Sequence, residues 1–166
     1  MMPNFLWLAI AALIPLIIGF VWYNPKVFGN AWMKSTGLSQ ESMKGANMAL
    51  IFGLTYVFSY ILAFGLQFSV IHQFHVFSLI QNQPGFGDDN SEVMKNMHKW
   101  YDQYAHNFRT YKHGALHGSI TAVFLLLPII TVNALFERRG FKYIAITAGY
   151  WIVSCMLMGA VICHWT

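Results

Sequence analysis

The sequence predicts an all-α integral membrane protein with four transmembrane helices and one amphipathic helix in the loop between the second and third. Three observations carry that prediction. Only 10% of the residues are charged and 57% are hydrophobic, whereas a soluble domain carries about 25% charged residues. The apolar residues gather in four runs of roughly 20, the length that crosses a bilayer core, and no Asp, Glu, Lys or Arg lies inside them. The remaining charges sit in the connecting segments. Four such runs use most of a 166-residue chain. Residues 1–166 are therefore expected to form a single membrane domain, with the lipid bilayer as solvent and one extramembrane insert.

The first span is expected over about 4–23. Pro3 suits a first-turn position, and Pro15 and Gly19 interrupt the run in a way that membrane helices tolerate. Trp22 and Tyr23 close it as interfacial aromatics. No Lys or Arg precedes this run and no small-residue cleavage site follows it, so it is read as a span and not as a cleavable signal. In the loop that follows, Phe28, Trp32 and Met33 fit a short amphipathic turn, with Lys26 and Lys34 facing headgroups. Gly37 breaks that turn. Ser39 is the expected N-cap of the next helix, with Glu41 in its first turn.

The second span is expected over about 47–74, with His72 and His75 at its far end. Its pairs Ala49/Gly53 and Ser59/Ala63 have the small-xxx-small spacing that lets helices approach closely. The insert, about 76–112, opens on the turn-rich Q-N-Q-P-G-F-G. Asp89-x-x-Glu92 then resembles a capping box. Val93, Met97, Trp100, Tyr101, Tyr104 and Phe108 recur at helical period, opposite Lys95, His98, Lys99, Asp102 and His106. One amphipathic helix on the membrane or over the bundle is the expected result.

The third span is expected over about 114–136, kinked at Pro128, and the fourth over about 143–163, joined by the basic turn E-R-R-G-F-K. The third opens on two overlaid stripes at i, i+4 spacing. Gly114, Gly118 and Ala122 are a helix-packing face, and His113, His117 and Thr121 lie beside it. Cys155 and Cys163 stand eight residues apart in the fourth span, roughly 12 Å along a helix, which is too far for a disulfide.

The first and third loops hold Lys26, Lys34, Lys44, Arg138, Arg139 and Lys142 against Glu41 and Glu137. In the insert, four bases face four acids. The positive-inside rule then places both termini and the insert outside. This orientation accounts for the net charge of +4. No basic cluster is interleaved with aromatics in a soluble fold, so nucleic-acid binding is excluded.

Under that topology all seven histidines fall on one face. His72, His75, His113, His117 and His164 end or begin spans, while His98 and His106 lie on the insert helix. Imidazoles brought together from different helices suit zinc, copper or haem iron. The plainer readings are interfacial placement for His72, His75 and His164 and a structural hydrogen bond for His113 and His117. His98, Asp102 and His106 read first as a solvated helix face. No H-E-x-x-H, C-x-x-C-H or G-x-S-x-G occurs. An ion-coupled transporter is disfavoured by spans without ionisable residues.

The stretch Trp22-Tyr23-x-Pro25-x-x-Phe28-Gly29-x-x-Trp32 resembles the domain of unknown function seventeen-sixty-one family of small bacterial membrane proteins. That resemblance implies about four spans and a bacterial cytoplasmic membrane, and it brings no catalytic residues. Three functional expectations follow. The leading one is a non-enzymatic oligomeric or accessory membrane component acting through a second copy or another membrane protein. The second is an outer-face metal- or haem-binding protein using the histidines. The third is a small enzyme acting on a lipid or quinone.

Overall fold

A computed structural model describes residues 3–39, 41–42 and 44–166. Among them the chain is helical and contains no strand. Four helical stretches are long and apolar enough to cross a membrane: Phe5–Trp22, Met48–Val70, Tyr111–Phe136 and Phe141–Trp165.

The first stretch is two helices, α1 (Phe5–Ala11) and α2 (Ile14–Trp22). Pro15 causes the break, because it has no N–H and its ring excludes the carbonyl four residues back. Asn4 caps α1 by accepting from Trp7 N. A π-helical turn, Pro25–Gly29, and α3 (Asn30–Thr36) follow. Gly29 is required in that turn, since a Cβ there would strike the Tyr23 carbonyl. Trp22 donates its indole N–H to the Ile146 carbonyl at 3.0 Å, and Arg139 donates to the Thr36 carbonyl at 2.6 Å. These bonds lock the first and third loops together at one end of the bundle.

The next helix, α4 (Met48–Val70), is capped by Asn47 and not by Ser39. Ser39 Oγ accepts from Ser42 N in a local turn, and Gly45, at φ +87°, separates that turn from the helix. A right-handed helix cannot run through a left-handed residue. Beyond Val70 the chain breaks at Ile71, so α4 stops short of Phe74, where the apolar run had suggested its end. Then come α5 (Gln73–Ile80) and α6 (Glu92–Tyr104). Ser91, not Asp89, caps α6, and Asp89 instead meets His98 Nε2 at 3.3 Å. Met94 and Met97 are the buried residues of α6.

The third stretch comprises α7 (Tyr111–Thr121), a π-helical turn at Ala122–Leu126 and α8 (Leu127–Phe136). Pro128 lacks the N–H that an α-helix would use there, and Leu127 N bonds the Ala122 carbonyl five residues back. The last helix, α9 (Phe141–Trp165), is uninterrupted. It is the hub, packing against α1, α2, α4, α7 and α8. Its closest neighbour is α7. A Cβ on Gly114 would fall on the Gly159 carbonyl and Cys163 Cβ, and one on Gly118 would fall on the Cys155 carbonyl. Ala122 continues that face and is fully buried. Backbones in such contact gain dispersion energy along their length, which is the main attraction between helices when the solvent is itself apolar.

Candidate metal centre

At the bundle end opposite the Trp22–Ile146 bond, the break after α4 sets the site. Ile71 is fully buried and extended (φ −116°, ψ 96°). A continuing helix would hand the Val70 carbonyl to Phe74 N–H. Here it accepts the Cys163 thiol at 3.3 Å instead. The chain turns at this anchored point, and His72 becomes the residue that precedes α5.

Across from it, Thr110 caps α7 by accepting from His113 N at 3.2 Å. That bond fixes His113 in the first turn, and His117 follows one turn later. Because Gly114 and Gly118 press α7 onto α9, the adjacent helix positions 113 and 117 face the turn that carries His72. Thr121, third in that stripe, returns its hydroxyl to the His117 carbonyl at 2.8 Å.

The three rings converge. His72 Nε2 lies 3.0 Å from His113 Nε2 and 3.4 Å from His117 Nε2. One ligand atom from each residue falls within 4.8 Å of the other two. His72 is exposed, and partial desolvation, then the neighbouring His117 and His75, hold its imidazole below its ordinary pKa. Each neutral ring has one N–H and one lone pair. A single Nε2 therefore cannot make a full hydrogen bond with two other Nε2 atoms at once.

A cation held there would resolve the conflict by accepting all three lone pairs. With zinc–nitrogen bonds of 2.0–2.1 Å, tetrahedral geometry separates ligand nitrogens by about 3.3 Å. The two separations from His72, 3.0 and 3.4 Å, bracket that value, and the ligand atoms of His113 and His117 lie within 4.8 Å of each other. Haem fits poorly, since a macrocycle would have to pass between axial rings that here stand 3.0 Å apart at their nitrogens. No Asp, Glu or Cys joins the cluster among the described residues.

The other histidines stand outside it. His75 is exposed on α5, beside a cavity of about 580 Å³ shared with Phe68, Phe77 and Tyr101. His164 stacks on Tyr111 with ring centroids 4.0 Å apart, and its Nδ1 lies 3.4 Å from the Arg109 carbonyl. His98 pairs with Asp89, and His106 is exposed.

A pocket of about 340 Å³ adjoins the cluster and includes His72 in its wall, with Gln73, Val76, Trp100, Tyr104, Asn107 and Phe108. Gln73 Nε2 donates to the Tyr104 and Asn107 carbonyls at 3.3 and 2.8 Å, and Tyr101 donates to the Gln73 carbonyl at 2.9 Å. These bonds hold α6 over α5. Phe108 is common to pocket and cluster, its ring centroid 5.2 Å from that of His113. Its φ of +60° places a bulky residue in the left-handed region, at a cost of about 1–3 kcal/mol. Helical periodicity counts Phe108 with the apolar face of α6, but that helix ends at Tyr104.

The chain belongs to the family described as "Protein of unknown function (DUF1761)", whose family model matches residues 6–163. No match was found among curated proteins or among solved structures.

Proposed function

We propose that this member of the family is a multi-pass membrane protein that binds a divalent transition metal, zinc or copper, through His72, His113 and His117. The observation that carries the reading is the approach of His113 and His117 Nε2, both on α7, to 3.0 and 3.4 Å from His72 Nε2 on a separate segment, with one ligand atom of each residue within 4.8 Å of the others. Three neutral ligands with no carboxylate suit either ion. Four apolar helical stretches support membrane insertion. Orientation rests on Lys26, Lys34, Lys44, Arg138, Arg139 and Lys142, which favour a cytoplasmic location for the first and third loops. The histidine cluster then faces outward from a bacterial cytoplasmic membrane, along with both termini and the insert.

Metal analysis of protein purified without chelator, and with any affinity tag removed, tests the reading. Stoichiometric zinc or copper, lost when His72, His113 and His117 are all replaced by Ala, is the expected result. A metal-free protein that stays so after exposure to both ions would contradict it.

An oligomeric or accessory role is a second reading, and one surface favours it. The stripe of Gly114, Gly118 and Ala122 is used within the chain, against α9. On α4, however, a Cβ at Gly53 would meet nothing within 4 Å, and neighbouring Ala49 is exposed. This open face is suited to a helix from a second copy or another membrane protein. Cross-linking followed by native electrophoresis decides it, and a species that is strictly monomeric and partnerless would count against it. An enzyme acting on a lipid or quinone has less support. A groove of about 690 Å³ between α2, α4 and α9 has no histidine in its walls, and the smaller pockets beside the cluster carry a single one each, His72 or His75.

A further inference from the structure

We infer that the metal's remaining coordination position is served by the aromatic pocket under α6, and that this pocket takes a small organic anion with a flat apolar body. The inference rests on the metal reading above and deepens it. Three protein ligands leave a tetrahedral ion one position open, the arrangement of zinc sites that bind water or substrate. Three neutral imidazoles leave the ion's double positive charge uncompensated, so an anionic donor is preferred at that position. His72 belongs both to the cluster and to the pocket wall. Of the three ligands His72 alone lines the pocket, so a molecule seated there meets the cluster through the His72 ring.

The other walls set the class of molecule. Trp100, Tyr104 and Phe108 supply aromatic surface, Val76 is aliphatic, and among the described residues no Lys, Arg, Asp or Glu lines the pocket. The Gln73 amide N–H groups are directed to the Tyr104 and Asn107 carbonyls. The walls thus favour a planar apolar body, and the only strong attraction for charge is the ion itself. A volume of about 340 Å³ lies at the small end of ligand pockets. That size suits a single-ring carboxylate and not a lipid. Phe108, held with φ at +60°, lines the pocket with its ring centroid 5.2 Å from that of His113, so a strained backbone positions a ring at the border of pocket and cluster.

The test uses the full-length protein in lipid nanodiscs, loaded with Co²⁺ as a spectroscopic substitute for the native ion. Benzoate and acetate are titrated in parallel while the cobalt d–d bands are followed. Benzoate is expected to perturb the bands at about tenfold lower concentration than acetate, because only its ring is buried against the pocket walls. Trp100→Leu and Tyr104→Leu should each bring the two anions close together, and cobalt content measured on each variant separates a lost pocket from a lost fold. Equal affinity for both anions in the wild type, or an undiminished preference in both variants that retain cobalt, would overturn the inference and leave the metal reading standing. Failure of the wild type to bind Co²⁺, Zn²⁺ or copper would overturn both.

Discussion

His72 and His113 meet nitrogen to nitrogen, Nε2 to Nε2, at 3.0 Å. The two residues are 41 positions apart, one in the turn before α5 and the other on α7. With His117 Nε2 at 3.4 Å from the same His72 atom, one ring faces two competitors for a single proton or lone pair. Replacing His72, His113 or His117 singly by Ala should therefore weaken zinc or copper binding by more than about 100-fold, beyond the 10- to 100-fold typical of an outer-shell partner. His75→Ala and His164→Ala should change affinity far less, by no more than a few-fold, because both lie outside the cluster and His75 acts on His72 only through its charge. Competition titration with a chromophoric chelator distinguishes these outcomes.

The contact between α7 and α9 supports the site from behind. Gly118→Ala would drive a methyl group into the Cys155 carbonyl, and overpacking of this kind costs about 1–3 kcal/mol or more. The same displacement would carry His117 away from His72, so stability and metal affinity should fall together. Gly53→Ala is the control. Its Cβ meets only open space, and in a helix interior Ala is favoured over Gly by about 1 kcal/mol. Thermal unfolding in detergent, with and without zinc, reads both effects.

Phe108→Gly separates backbone from side chain. Glycine adopts φ +60° without strain, so metal-free stability should hold or rise by about 1 kcal/mol. The ring that borders both His113 and the pocket is lost, and any preference for aromatic over aliphatic anions should fall with it. A variant that unfolds at lower temperature would show that the ring's packing outweighs the strain.

Acid should dismantle the site. Because partial desolvation and the neighbouring His117 and His75 lower the His72 pKa from its ordinary value of 6.5, the native state binds fewer protons than the unfolded chain just below that pH. This contribution is complete above the unfolded value and is lost as pH falls through 6.5 toward the lowered native value. Metal binding adds to the trend, since each imidazole must be neutral to ligate. Retention after dialysis should be full at pH 7.5 and largely lost at pH 5. Full retention at pH 5 would point to ligands other than histidine.

The four apolar stretches were legible in the sequence because a bilayer-length run without charge is a signal that length and composition alone carry. The spacing of His113 and His117 was equally plain, since i, i+4 residues share a helix face. His72 was harder to place. Val70, Ile71 and Phe74 read as helix continuing, and nothing local marks the Val70 carbonyl as the partner of Cys163, 93 residues away. The two caps were misassigned to Ser39 and Asp89 because propensity cannot choose among several polar residues near a helix start. Asn47 and Ser91 take those positions once Gly45 and Gly85 turn the chain in the left-handed region. Phe108 was hidden by its own periodicity: three turns of apolar spacing placed it on α6, and only tertiary contacts with His113 and Cys163 draw it off that helix.

X-ray absorption spectroscopy at the zinc edge of the metal-loaded full-length protein tests the central claim most directly. The account predicts a first shell containing three imidazole nitrogens at about 2.0–2.1 Å, reduced in the His72→Ala, His113→Ala and His117→Ala variants. A shell without imidazole scattering, or one unchanged in all three variants, would contradict it.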